Sequence, residues 1–183
     1  REIWESEPAD FTPWLAKDIN LKLLGDTLGI ELQLEAVEKG VGPYSADIVC
    51  KDTADDTWVI IENQLEPTDH KHLGQILTYA AGIGAVTIVW IAERFTDEHR
   101  AALDWVNEIS NEDIQFFGLE IEAWRIGNSP VAPKFNIVAK PNDWTKGGLG
   151  SSKVRNVDLT SAKLLQQEFW RGFREYVLDK ESV

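Results

Sequence analysis

The chain has no methionine and a single cysteine, and its 18 Lys and Arg residues are outnumbered by 31 Asp and Glu, leaving a formal net charge of −13. Each scarcity excludes something. Cys50 alone cannot close an internal disulfide, and its apolar neighbours make a reduced, buried thiol in the cytoplasm the default reading. No apolar run approaches the roughly 20 residues that span a bilayer, and no signal-peptide pattern opens the chain, so no membrane partner is expected. The lack of an initiator methionine leads to the expectation of a trimmed chain. No second His or Cys stands at metal-ligand spacing near His99, which is read as an ordinary surface residue. His70 and His72 have no activated Ser or Cys in a recognisable arrangement, so a hydrolase built on them is a weak reading. The acidic balance argues against simple nucleic-acid binding, which draws its affinity from Lys and Arg neutralising phosphates. A local exception lies in 134–155, where Lys134, Lys140, Lys146, Lys153 and Arg155 are accompanied only by Asp143. That stretch reads equally as a phosphate-contacting strip or a solvated linker.

Set against these absences, 183 residues that are 43% hydrophobic suffice for one well-buried core and an appendage. The centre of the sequence is Trp58 to Leu65, a β-branched apolar run that ends in polar residues and therefore reads as a buried strand. Alternation puts Glu62 and Gln64 on one face and Ile61 and Asn63 on the other. A second strand-like segment, Ala46 to Val49, carries Asp47, and the acidic turn Asp52 to Asp56 between the two predicts a hairpin. Paired this way, Asp47 and Glu62 converge at one sheet end. Two converging carboxylates outline a Mg²⁺ or Mn²⁺ site, hard oxygen ligands with room for water and a phosphate. The bland alternative makes Asp47 a strand cap and pairs Glu62 with Lys51 or Lys71. Next, 69–81 has helical periodicity, with Leu73, Ile76, Leu77 and Ala80 as the apolar arc and His72, Gln75 and Tyr79 opposite. Packed on the sheet, this helix would bring Gln75 and Tyr79 beside the carboxylates.

Elsewhere, Thr12 and Pro13 signal a helix start, Leu15, Ile19 and Leu23 form its expected stripe, and Gly25 and Gly29 end it. Ile30 to Val37 alternates as a strand with Ile30, Leu32, Leu34 and Ala36 inward. Ala85 to Ala92 is continuously apolar and predicts a strand covered on both faces. Thr96 caps a further helix with Ala101, Ala102, Trp105, Val106 and Ile109 on one arc. Ile114 to Ile126 and Lys134 to Ala139 supply two more strands; Trp124 and Arg125 could stack on a base, but Trp124 is read in preference as a core residue. The resulting strand–helix alternation predicts an α/β fold. Residues 145–157 read as a linker, and their glycines make no phosphate loop. An amphipathic helix over 159–178, with Leu165, Phe169, Trp170, Phe173 and Tyr176, needs a surface to dock on: the core, a second copy in a homodimer, or a further C-terminal domain.

Asp47, then I-E-N-Q at 61–64 and G-Q-I-L-T-Y at 74–79, resembles the PD-(D/E)XK nuclease superfamily, including the Q-L-x-x-Y helix of its RecB-like and NucS-type members. D-F-T-P-W-L-A at 10–16, the whole of 61–82 and A-A-L-D-W-V-N at 101–107 also resemble a bacterial family that joins a restriction-endonuclease-like N-terminal domain to a C-terminal domain of unknown function. The resemblance covers roughly residues 1–145. It implies a mixed central sheet flanked by helices over 1–144, a linker, and over 158–183 the opening of the C-terminal domain. It implies DNA as partner and phosphodiester hydrolysis, with Asp47, Glu62 and the Asn63 carbonyl on Mg²⁺ or Mn²⁺, Gln64 positioning the water, and Gln75 and Tyr79 shaping the site. In this superfamily the first helix often adds an acid; Glu7 and Asp10 both qualify. Gln64 departs from the pattern, which ends in Lys: a neutral amide cannot take up a proton. An inactive module that keeps the fold for nucleic-acid or protein binding is the rival expectation.

Overall fold

The computed structural model describes residues 3–41, 44–85, 87–110 and 114–142. All the elements below belong to the compact unit Arg1–Ser152. The expected linker, the 159–178 helix, and Lys146, Lys153 and Arg155 lie outside the described residues.

Six strands form one mixed sheet in the order of the sequence: β1 Leu32–Val41, β2 Tyr44–Asp52, β3 Thr57–Pro67, β4 Thr87–Arg94, β5 Gln115–Trp124 and β6 Ala132–Ala139. The meander β1–β2–β3 is antiparallel, β3–β4–β5 is parallel, and β6 returns antiparallel along β5. Parallel neighbours need crossovers. These are the helices α3, His70–Ile83, and α4, Asp97–Ile109, whose Ile76, Tyr79 and Leu103 pack with Val49, Ile60, Ile88 and Trp90 on one face. On the other face, a π-helical turn Glu7–Phe11, α1 Thr12–Leu15 and α2 Asp18–Leu28 bury Phe11, Leu15, Leu21, Leu24 and Leu28 against Ile48, Ile61, Val89 and Ile91. The architecture is therefore a three-layer α/β fold with a mixed central sheet. The apolar run of β4 is buried on both faces because it lies between these layers. The expected hairpin between β2 and β3 is present, its turn closed by Asp56 N–H on the Asp52 carbonyl at 2.9 Å and by the Asp52 carboxylate, which accepts from Ala54 N–H at 2.9 Å.

Several expected faces are corrected. The first helix is broken at Lys17, which opens α2 without a side-chain cap, while Asn20 donates to the Trp14 carbonyl at 2.6 Å. The break rotates the stripe, so Ile19 is 76% exposed and Leu21, Leu24 and Leu28 are buried instead. Gly25 lies within α2 and does not end it; Gly29 does, in the left-handed conformation. On α3, Leu77 is exposed and Tyr79 buried. On α4, Trp105 and Ile109 are exposed, and the covered side is His99, Leu103 and Asn107. His99 is thus no surface residue: only 5% exposed, its Nε2 meets His70 Nδ1 at 2.7 Å and its Nδ1 lies 2.9 Å from the hydroxyls of Thr68 and Thr96. Trp124, at the end of β5, is 59% exposed and not a core residue.

Candidate active site

The register of the first hairpin creates the site. The β2–β3 ladder ends at Ile48 paired with Ile61, which sets Asp47 opposite Glu62 one step further on. There, side chains take over from backbone pairing: Asp47 Oδ2 accepts from Asn63 N–H at 2.8 Å, and the Asp47 N–H donates toward the Glu62 carboxylate. Glu62 is 3% exposed and its Oε2 has no hydrogen-bond partner. Neither carboxylate pairs with a Lys among the described residues; Lys51 bonds Asp56 instead. Burial pushes the Asp47 carboxyl up to about 7, against the opposing pull of the Asn63 N–H. Burial and then the nearby Asp47 charge push Glu62 up to about 9. Two like charges this close do not both ionise readily, so the pair holds a proton at neutral pH unless a cation compensates.

Two further acids bear on the pair. Glu7 crosses from the π-helical turn to β3, where its Oε2 accepts from Leu65 N–H at 2.8 Å. Its charge raises both Asp47 and Glu62, and burial raises Glu7 itself. Asp10 turns away and accepts from Ser6 N–H at 2.9 Å, closing the first turn. Glu38 was not anticipated. The pairs Val37–Ile48 and Lys39–Ala46 place it opposite Asp47 on β1, so Glu38, Asp47 and Glu62 form a row across three adjacent strands. It is exposed, and its backbone sits at φ 54, a region costly for a residue with a side chain. Its sequence neighbourhood carries no signal of this, because the bulge between Leu34 and Ala36 resets the alternation.

The remaining expected residues divide between faces. Asn63 sends its side chain to the opposite layer, donating to Thr12 Oγ1 at 3.0 Å, so only its main chain borders the acids. Gln64 is 2% exposed on the Glu62 face; its Nε2 donates to the Pro67 carbonyl at 2.9 Å and to Asp69 Oδ2 at 3.1 Å, while its Oε1 has no partner. Gln75 donates to the Tyr79 hydroxyl at 2.9 Å, and its own Oε1 is likewise unsatisfied. Buried polar atoms are nearly always bonded, so orphaned oxygens on Glu62, Gln64 and Gln75 along one layer are unusual. Among the described residues, no three His, Cys, Asp or Glu side chains are grouped to hold one metal ion. The donor set does fit a hard cation that takes two carboxylates and fills its other positions with water or phosphate oxygen, as Mg²⁺ does. Depressions of about 530 Å³, beside Trp4 and Trp14, and about 610 Å³, beside Trp105 and Asn142, are lined by neither carboxylate of the pair nor by Gln64, Gln75 or Tyr79, though Asp10 borders the first.

Neither a protein-family model nor a curated protein matches the sequence. Among solved structures, the chain is similar to a repair endonuclease from Pyrococcus abyssi, at 16% identity and a TM-score of 0.46 over 64% of this chain and 48% of that one. A second similarity, at 16% identity and a TM-score of 0.38, is to an EndoMS–dsDNA complex, over 57% of this chain and 45% of that one. The chain thus spans about half the length of the structures it matches. No described helix is long and apolar enough to cross a membrane.

Proposed function

We propose that this domain is a metal-dependent nuclease that hydrolyses DNA phosphodiester bonds. The observation that carries the reading is the meeting of Asp47 and Glu62 at the end of the β2–β3 ladder, with Glu62 Oε2 buried and unpartnered. Asp47 and Glu62, with the Asn63 carbonyl, would hold Mg²⁺ or Mn²⁺, which supplies charge neutralisation at the phosphate and acidifies a bound water. The chain's own residues do the rest. Gln64, fixed through its Nε2, presents Oε1 to orient the attacking water. Gln75 and Tyr79 form the wall of the site next to it, and Glu7 tethers the N-terminal turn to β3. Phosphoryl chemistry asks a protein chiefly for positioning and charge stabilisation, which a sparse constellation can provide. The PD-(D/E)XK pattern of Asp47, Glu62 and Gln64 supports the substrate class.

The test is cleavage of plasmid and single-stranded DNA in Mg²⁺ or Mn²⁺, beside Asp47→Ala and Glu62→Ala. Each substitution is expected to reduce cutting by a factor of about 100 or more. Cutting that survives either one removes the site. The net charge of −13, and the lack among the described residues of a third grouped ligand, favour a second reading, a fold-retaining binding module. Such a module would bind nucleic acid or a protein equally well with and without divalent ions and leave the backbone intact.

A further inference from the structure

A water attacking phosphorus must lose a proton, and Gln64 cannot accept one. A group that can stands two bonds away, through Asp69. Gln64 Nε2 donates to Asp69 Oδ2 at 3.1 Å, and the other oxygen of the same carboxylate, Oδ1, accepts from His72 N–H at 2.8 Å and lies 2.9 Å from His72 Nδ1. A carboxylate only accepts, so the ring hydrogen sits on Nδ1 and the neutral imidazole carries its lone pair on Nε2. No bond to Nε2 is formed among the described residues. The ring is half-buried in the first turn of α3, one turn ahead of Gln75 on the same side. Glu7, whose carboxylate accepts from Leu65 N–H at 2.8 Å, is near enough for its charge to interact with His72 as well as with Asp47 and Glu62. Through Asp69, His72 is thus tied to Gln64, two residues beyond Glu62 on the same face of β3.

We propose that His72 is the catalytic base of this site, oriented by Asp69, and that it does the work a Lys at position 64 would do. This rests on the nuclease reading above. In the step, the bond between water oxygen and phosphorus forms as the proton of that water passes to His72 Nε2. The ester P–O bond breaks, its electron pair leaves with the ester oxygen, and solvent water protonates that oxygen. The imidazolium then returns its proton to solvent. Asp69 stays ionised throughout, holding the ring and stabilising its charged form. Asp69 and Glu7 are the charged groups facing the imidazole, with Glu66 acting on Glu7 from the end of β3.

Asp69 is also the N-cap of α3, and a cap by itself would explain the bond to the ring. A cap has no pH signature in turnover, so the rate profile discriminates. kcat on DNA is measured from pH 5 to 9 at saturating Mg²⁺ for the wild type, His72→Ala, His72→Ala with added imidazole, and Asp69→Asn, which keeps a capping oxygen. The wild-type rate is expected to rise with pH along a limb of unit slope. His72→Ala should lose that limb and about 100-fold in kcat with KM unchanged, imidazole should restore part of the rate, and Asp69→Asn should move the limb to lower pH. A His72→Ala enzyme within threefold of wild type with the limb intact overturns the proposal and leaves the nuclease reading standing. Absence of any Asp47-dependent cutting by the wild type overturns both.

Discussion

Asp47 and Asn63 replace a rung of the sheet with a side-chain bond: the carboxylate on β2 accepts the N–H of β3 at 2.8 Å, beyond the last paired residues Ile48 and Ile61. That bond fixes Asp47 against Glu62, and the two share a poorly hydrated end of the hairpin. Both titrate above their usual range, mainly because burial disfavours the ionised forms. Groups whose folded pKa is raised stabilise the fold fully below their unfolded value, near 4, and lose that contribution as pH rises through the folded values. Metal-free protein is therefore expected to lose stability steadily between pH 5 and 9, seen as a falling Tm. Mg²⁺ should restore it, and more so at pH 8.5 than at pH 6. Thermal melts across this range with and without Mg²⁺ check this; a Tm that ignores both pH and metal would contradict it.

Substituting Asp47→Asn separates the bond from the charge. Asparagine keeps an oxygen for the Asn63 N–H but removes the charge that opposes ionisation of Glu62. At pH 8 the metal-free variant should melt higher than wild type by about 1 kcal/mol equivalent, roughly 2–4 °C, and should gain nothing from Mg²⁺. Calorimetric titration with Mg²⁺ beside the melts gives both readouts.

How much of this was legible beforehand depended on whether a single element decided it. The β4 run from Thr87 to Ala92 and the hairpin around Asp52–Asp56 read correctly because local composition sets them. The meeting of Asp47 with Glu62 followed from one turn and a period of two. Faces that depend on the neighbouring layer did not follow. Trp105 and Ile109 fall on an apolar arc of α4, yet the sheet receives His99, Leu103 and Asn107, because Asn107 clamps β5 through both the N–H and the carbonyl of Phe116 at 2.9 Å each. Ile19 was lost to the break at Lys17. Glu38 was invisible because a bulge, which no residue type announces here, sets its register.

Gly25 is a position where a better helix former should harm the protein. A Cβ there would stand 2.6 Å from the Ile30 carbonyl oxygen, backbone that cannot swing aside as a side chain would. Alanine gains about 1 kcal/mol in helix propensity, and overpacking against a fixed atom costs about 1–3 kcal/mol, so the clash decides the sign. Gly25→Ala is expected to lower stability, by up to about 2 kcal/mol, in urea unfolding, with the m-value unchanged.

The His70–His99 contact should make the fold acid-sensitive independently of the carboxylates. His99 is held below its ordinary value, first by burial and then by the charge His70 carries when protonated. A depressed His contributes stability that is present above the unfolded value, near 6.5, and is lost as pH falls through the folded one. Below pH 6.5 this opposes the gain from Asp47 and Glu62, so the wild-type profile is a sum of opposite slopes and a variant is needed to separate them. His70→Ala removes the charged neighbour and leaves His99 its bonds to Thr68 and Thr96. Between pH 6.5 and 5 the variant should therefore lose less stability than wild type, and the His99 ring should titrate at higher pH in an NMR titration. An unchanged His99 titration in His70→Ala would mean that burial alone sets its acidity, and that the ring pair carries no share of the acid response.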